Sequence, residues 1–330
     1  MEIGKLTNEE LKDWVIGRLP PLSHPDLKKG AGIGIDCAML EAGGCSLVLS
    51  SDPITTGGEM TGTLAIHVSC NDIAASGVRP VAVLLVLLAP PAATMEDVVR
   101  VVDQAGAAAA SLGVDIIGGH TEITDAVNRV VVTTTALGLA EKGSHIPCGM
   151  AKPGDSLLMT KTAGIEGAWI ASDMCGDFLR EHLTDDEFGL VRNFWKNLSV
   201  VEDGAAAVRA GTVHLMHDVT EGGILGAAHE MASLSGLGLV LDADAVPVHP
   251  VTRKICDAMG VNPLRLISSG SLLIATPNPQ ELIDEFAGLG ILCTRIGTFV
   301  SEGYQLVSKG KTVELTPPVA DELYKMKAFS

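Results

Sequence analysis

The sequence predicts an α/β or α+β protein built as two domains. Strand-like and helix-like segments mix in both halves of the chain, which excludes an all-α or all-β layer architecture. At 330 residues the chain exceeds one average domain and suits two. Residues 142–155, KGSHIPCGMAKPGD, form a Gly- and Pro-rich break that divides it into 1–150 and 151–330. With 47% hydrophobic residues, each half can bury a core.

The elements follow in order. Thr7 and Glu10 fit a capping box for a short amphipathic helix with the stripe Leu11, Trp14, Val15 and Leu19, stopped by Pro20-Pro21. Residues 45–51, CSLVLSS, read as a strand, and 63–76 as an apolar helix. The continuous run 81–88, VAVLLVLL, suits a strand covered on both faces. Thr94 caps a helix that ends near 112, just before Gly113. A short strand at 114–117 leads into a turn at Gly118-Gly119, and 130–138 is a β-branched strand. In the second half, strands are expected at 156–160, 212–216, 237–241, 271–275 and 293–299. Helices are expected from 164, within 184–208, and over 224–233 and 280–289.

Charge removes several functions. Lys and Arg number 23 against 40 Asp and Glu, a net −17, so neither nucleic acid nor an anionic membrane is a suitable partner. The most apolar run, 80–93, is broken by Pro90-Pro91 and is too short to cross a bilayer. The N-terminus lacks the apolar segment of a signal peptide. The seven cysteines are odd in number, with no C-x-x-C spacing, and read as reduced structural thiols of a cytoplasmic protein. Cys37, beside Asp36 in a Gly-rich segment, is the one that stands out.

Five segments have the residue types for chemistry. Gly30 to Asp36, GAGIGID, superficially matches a dinucleotide fingerprint, but the preceding PDLKK is no strand, so that reading is rejected. What remains is a Gly-rich turn ending in an acid. Asp52 leaves an apolar strand before Pro53, placed for a metal or for a turn. Asn71 and Asp72 interrupt the apolar helix TLAIHVSCNDIAASG, and a buried carboxylate is costly unless paired or metal-bound. The alternative there is a structural polar network, and His67 reads as a core histidine. In DIIGGHTE, Gly118 and Gly119 would let backbone approach a phosphate, while His120 and Glu122 either ligate a metal or cap a loop. In HDVTEGG, Asp218 follows a strand and precedes a helix, where it either holds Mg²⁺ against bound phosphate or acts as a cap. Hard oxygen donors and Gly-rich turns together point to a magnesium–nucleotide site. No P-loop, G-x-S-x-G or H-E-x-x-H motif occurs.

The ordered series Gly34-Ile35-Asp36-Cys37-Ala38, Ser51-Asp52, Asn71-Asp72-Ile73-Ala74-Ala75-Ser76-Gly77, Gly118-Gly119-His120-Thr121-Glu122, Lys152-Pro153-Gly154-Asp155, His217-Asp218-Val219-Thr220-Glu221-Gly222-Gly223 and Ser268-Ser269-Gly270-Ser271-Leu272 resembles the aminoimidazole ribonucleotide (AIR) synthetase, or PurM-like, superfamily. That group also holds thiamine-monophosphate kinase and the hydrogenase maturation protein HypE. The resemblance implies an N-terminal domain forming a dimeric β-barrel-like core and a C-terminal α+β domain. It implies ATP in the cleft and Mg²⁺ held by Asp36, Asp52, Asp72 and Asp218. It places Asn71, Gly118, Gly119 and Thr121 near the nucleotide. His217 and His120 become candidate catalytic groups, and Glu122 a metal ligand where many relatives carry Asp directly after the Gly-Gly pair. HypE ends in a Cys that accepts a carbamoyl group, whereas this sequence ends in Ala328-Phe329-Ser330. The expected function is Mg²⁺-ATP-dependent phosphoryl transfer to a small-molecule or amide-type acceptor by a homodimer. The alternatives are a non-catalytic nucleotide-binding homodimer and a HypE-like maturation factor.

Overall fold

The computed structural model describes residues 6–55, 58–141, 149–317 and 320–326. Residues 1–5, 56–57, 142–148 (half of the 142–155 break), 318–319 and 327–330 lie outside the described residues. The α/β class holds, as two sheets with helices packed on them. The first sheet contains β1 (Leu27–Lys29), β2 (Ala38–Ala42), β3 (Cys45–Ile54), β4 (Pro80–Ala89), β5 (Asp115–Ile123) and β6 (Val131–Glu141), in the order β1-β2-β3-β6-β4-β5. Its pairs are antiparallel except β4 with β5. The sheet is open within the chain and is not a closed barrel. The hairpin between β2 and β3 turns on Gly43-Gly44, both left-handed, a two-glycine signal of the kind short hairpins need.

The second sheet contains β7 (Ser156–Thr160), β8 (Leu215–Asp218), β9 (Gly238–Asp242), β10 (Leu272–Thr276), β11 (Cys293–Val300), β12 (Tyr304–Ser308) and β13 (Lys311–Glu314). Their order is β13-β12-β9-β11-β7-β10-β8. Strands β7 and β10 are buried at every position because both faces are covered. Leu158 and Ile274 face one core, while Leu157, Met159, Leu273 and Ala275 face the other.

The first of these cores joins the two halves. The helix Thr61–Ala75 is apolar nearly all round and buried along its whole length, as such a helix must be. It rests on β3 and β6, on the helix Met95–Leu112, and on the helix Val201–Ala210 of the second half. The Met95–Leu112 helix has the expected ends, with Thr94 and Asp97 closing a capping box and Gly113 left-handed.

Four sequence expectations change. Residues 114–117 do not end in a turn at Gly118-Gly119, because β5 runs straight through both glycines to Ile123. The pair serves close packing instead. A side chain on Gly119 would place its Cβ 1.7 Å from the Leu85 carbonyl oxygen of β4. The segment PDLKK does contain a short strand, β1, but β2 rather than a helix follows the Gly-rich turn, so the Rossmann reading still fails. The N-terminal capping box forms, yet the turns after it are irregular, and Trp14, Val15 and Leu19 are left exposed. The strand expected at 212–216 starts later and ends on His217 and Asp218, so these side chains are fixed by pairing with β10.

Asn71 clamps the halves together. Its Nδ2 donates to the Leu198 carbonyl at 2.8 Å, and its Oδ1 accepts from the Val200 N–H at 2.9 Å. Replacing Asn71 with Ala strands two buried backbone groups. We expect a loss of about 3 kcal/mol, at roughly 1–3 kcal/mol per group. It is read as a lowered urea midpoint with the same slope.

Candidate active site

Between the sheets lies a cleft of about 1220 Å³. Asp36 enters it from the loop before β2, Asp52 from the end of β3, Asp72 from the Thr61–Ala75 helix and Asp218 from the end of β8. Four separate segments thus deliver four carboxylates to one wall. Arg129 is the only Lys or Arg among the described residues lining it.

The electrostatics follow from this crowding. Burial, then the charges of Asp218 and Asp52, push the Asp72 carboxyl well above the usual carboxylate range. Its Oδ2 accepts from the Ser50 hydroxyl at 2.5 Å. Burial, then the charge of Asp36, raises Asp218 to about 7. Asp218 is 1% exposed, and its Oδ2 is buried with no hydrogen-bond partner. A buried orphan oxygen in a native site calls for an explanation.

His217 relieves part of the strain. Its Nδ1 lies 2.7 Å from Asp36 Oδ2, and its Nε2 lies 3.2 Å from Glu230 Oε2. With a carboxylate at each nitrogen, the ring is held as an imidazolium donating from both. Burial lowers its pKa, but Asp36 and Glu230 outweigh burial and leave it well above the ordinary histidine value. Single donor atoms of Asp36, His217 and Asp218 all lie within 4.8 Å of one another; with both His217 nitrogens donating, the carboxylate oxygens of Asp36 and Asp218 are the ones left to hold a metal ion. Converging hard oxygens, one of them orphaned, suit Mg²⁺.

The expected site residues divide clearly. Asp36, Asp52, Asp72, Asp218 and His217 come together in the cleft. Asn71 does not face it, since both ends of its amide bind backbone; the structural network wins over nucleotide contact at that position. Gly118, Gly119, His120, Thr121 and Glu122 lie on the exposed edge strand β5, outside this chain's cleft. His120 Nε2 and Glu122 Oε2 are 3.4 Å apart there, both largely exposed. Cys37 is buried, its thiol donates to the Asp72 carbonyl, and burial pushes its pKa up, so it is not a reactive thiolate.

Among the residues that the sequence reading missed are two that line the cleft, Glu166 and Tyr324, and one behind His217, Glu230. Glu230, Glu166 and Tyr324 respectively hold His217, receive the Ser269 N–H and bind Glu221. For the two glutamates a signal existed. Each is a lone acid in an apolar helical stretch, GIEGAWIAS or ILGAAHEMA, the same pattern that exposed Asp72.

The acid-lined cleft lies between two α/β units, and the chain matches one known family across both. Residues 34–140 match the N-terminal domain, and residues 152–309 the C-terminal domain, of AIR synthase related proteins. The chain belongs to this family. It is 30% identical over 275 residues to the carbamoyl dehydratase HypE of Cupriavidus necator, covering 80% of this chain and 76% of that one. The crystal structure of the hydrogenase maturation protein HypE of E. coli superposes with a TM-score of 0.73 at 25% identity, over 84% of this chain and 88% of that one. A structure of HypE in complex with ATP superposes with a TM-score of 0.72 at 23% identity, over 96% and 94%.

The raised pKa values set a pH dependence for the metal-free protein. Folded Asp218 holds its proton up to about pH 7, whereas the unfolded chain releases it near 4. The folded state therefore binds more protons across that window, and stability falls as pH rises through it. Asp72 and His217, both raised, act in the same direction. Without Mg²⁺ we expect the Tm to drop by several degrees from pH 5 to pH 8, and Mg²⁺ to restore most of it at pH 8. Asp218→Asn should flatten the profile and abolish the Mg²⁺ response in a thermal scan.

Proposed function

We propose that the chain is a cytoplasmic, homodimeric, Mg²⁺-ATP-dependent enzyme that transfers the ATP phosphoryl group to an amide-type oxygen or a similar small-molecule acceptor. The observation that carries this reading is the convergence of Asp36, Asp52, Asp72 and Asp218 on one cleft with a buried, unpartnered Asp218 oxygen. Those four residues would hold Mg²⁺. When bound, the ion supplies neutralisation of triphosphate charge and a fixed attachment for it. Phosphoryl transfer asks mainly for positioning and charge compensation, which suits a site with no activated nucleophile.

The protein's own groups have separable tasks. His217, gripped by Glu230, fixes the orientation of Asp36. Ser50 orients Asp72. Arg129 offers the cleft a donor for phosphate oxygens. The carbamoyl dehydratase relatives favour an amide-type acceptor. Removing water from a carbamoyl group requires its oxygen to become a leaving group, and phosphorylation of that oxygen would do this. A HypE-like maturation role therefore begins with the same step.

The homodimer is supported by a sheet edge with no neighbouring strand among the described residues. Strand β5 is exposed along its length, and Val81, Leu84, Ile116 and Ile117 leave an apolar surface around it. The six described cysteines are free, in keeping with a reducing compartment, and no helix among the described residues is long and apolar enough to cross a membrane. The test is ADP formation across a panel of carboxamide and carbamoyl acceptors. Asp72→Asn should lower turnover by about 10²-fold or more, the typical cost of deleting one group that stabilises developing charge. ATP binding with no ADP formed from any acceptor would favour the non-catalytic alternative.

A further inference from the structure

Lys161 does not line the cleft, yet its ammonium stands where the supports of two cleft carboxylates meet. The residue follows β7 at φ +57°, a left-handed conformation that strains a side chain other than glycine. Such strain persists only where surrounding contacts fix it. Here Nζ donates to the carbonyl oxygens of Ser199 and Gly270, each at 2.9 Å, and to Asp203 Oδ1 at 2.7 Å. Asp203 belongs to the helix Val201–Ala210 and is 2% exposed. Burial lowers the Lys161 pKa, and the Asp203 charge opposes that shift.

Each of the two carbonyls belongs to a segment that carries one carboxylate of the cleft. Ser199 lies between Leu198 and Val200, the residues whose backbone the Asn71 amide clamps. Asp72 follows Asn71 directly on the helix Thr61–Ala75, so a fixed Ser199 fixes the anchor of that turn. On the other side, Gly270 leads into β10. The Ser271 carbonyl accepts from the Val219 N–H at 3.0 Å, and Leu272 pairs with Asp218. The neighbours of Lys161 grip the same strand end. Leu272 N–H donates to Thr160 Oγ1 at 3.1 Å, and Ser271 Oγ donates to the Thr162 carbonyl at 3.0 Å. The two supported segments also touch, since a Cβ on Gly270 would stand 2.3 Å from the Asn197 carbonyl oxygen.

We propose that Lys161 is a positioning residue for the metal site. By holding the Ser199 and Gly270 carbonyls on one ammonium, it fixes Asp218 of the later domain against Asp72 of the earlier one. Without that bridge, the like charges of the two aspartates would drive their supports apart. This inference rests on the Mg²⁺ reading of the cleft and names the group that keeps its two sides in register.

The test uses the full chain and titrates Mg²⁺ alone by calorimetry. Lys161→Met removes the bridge but leaves Asp203 buried and unpaired, which can unfold the protein. Lys161→Met combined with Asp203→Leu is therefore the deciding variant, because removing both charges of a buried pair is often neutral for stability. It should bind Mg²⁺ about tenfold or more weakly than wild type, the usual cost of losing a group that orients metal ligands. Asp203→Asn removes the charge partner and keeps the Lys161 N–H groups for both carbonyls. It should lower the Tm yet leave Mg²⁺ affinity within about twofold, as for an independent site. In metal-free protein, amide exchange over residues 215–223 should be faster in the double variant than in Asp203→Asn. Mg²⁺ affinity within about twofold of wild type in the double variant, an equally large loss in Asp203→Asn, or equal exchange in the two overturns the proposal. A wild type that binds no Mg²⁺ defeats the proposed function, and the exchange comparison, read without metal, still decides the bridge.

Discussion

Like charges held out of water at the junction of two domains are the constraint on which the structure depends. Asp36, Asp52, Asp72 and Asp218 repel one another, and burial adds to the cost for Asp72 and Asp218. Ser50 and His217 hold Asp72 and Asp36 by hydrogen bonds, but these contacts join only part of the cluster. The four carboxylates are held there by apolar packing around them: a helix with every residue buried, a strand paired into the edge of the second sheet, and a core common to both halves. Hydrophobic burial thus maintains an arrangement that electrostatics alone would disperse.

The protein offsets part of this cost from within. His217 places a positive charge between Asp36 and Glu230, so one aspartate of the four is balanced without any bound ion. Asp218 keeps an oxygen with no protein partner. Behind the other end of the cleft, Asp321 has its oxygens taken by three backbone N–H groups, and Glu166 accepts from Ser269. Asp321, met by backbone donors, is a structural carboxylate, whereas Asp218 keeps an oxygen open toward the cleft.

Much of the fold was legible in the sequence where a local rule acts alone. The helix beginning after Thr94 is bounded by a capping box and a left-handed Gly113, both set by residues within one turn of its ends. The buried strands β7 and β10 are short apolar runs. The weak readings concern glycines and polar residues, whose roles depend on what lies opposite. Gly118-Gly119 looked like a turn but is extended, because the partner strand approaches too closely for a side chain. Asn71 and Asp72, adjacent and equally unusual in an apolar helix, point about 100° apart. One meets the backbone at Leu198 and Val200, and the other meets the cleft. The hairpin of β12 and β13 and its Lys309-Gly310 turn went unread, although the glycine was a usable signal.

By itself, the sequence determined the alternation of strands and helices, the acidic character and the motifs that bear the carboxylates, since these follow from composition, periodicity and short-range capping. Only the tertiary structure decided which polar residues share a cavity. Asp36 and His217 are 181 positions apart, and Glu166 and Ser269 are 103 apart. No local pattern encodes such pairings, because they arise from strand order and from the packing of one domain's helix against the other's. The same long-range packing sends Asn71 into the interface and leaves Asp218 facing the cleft.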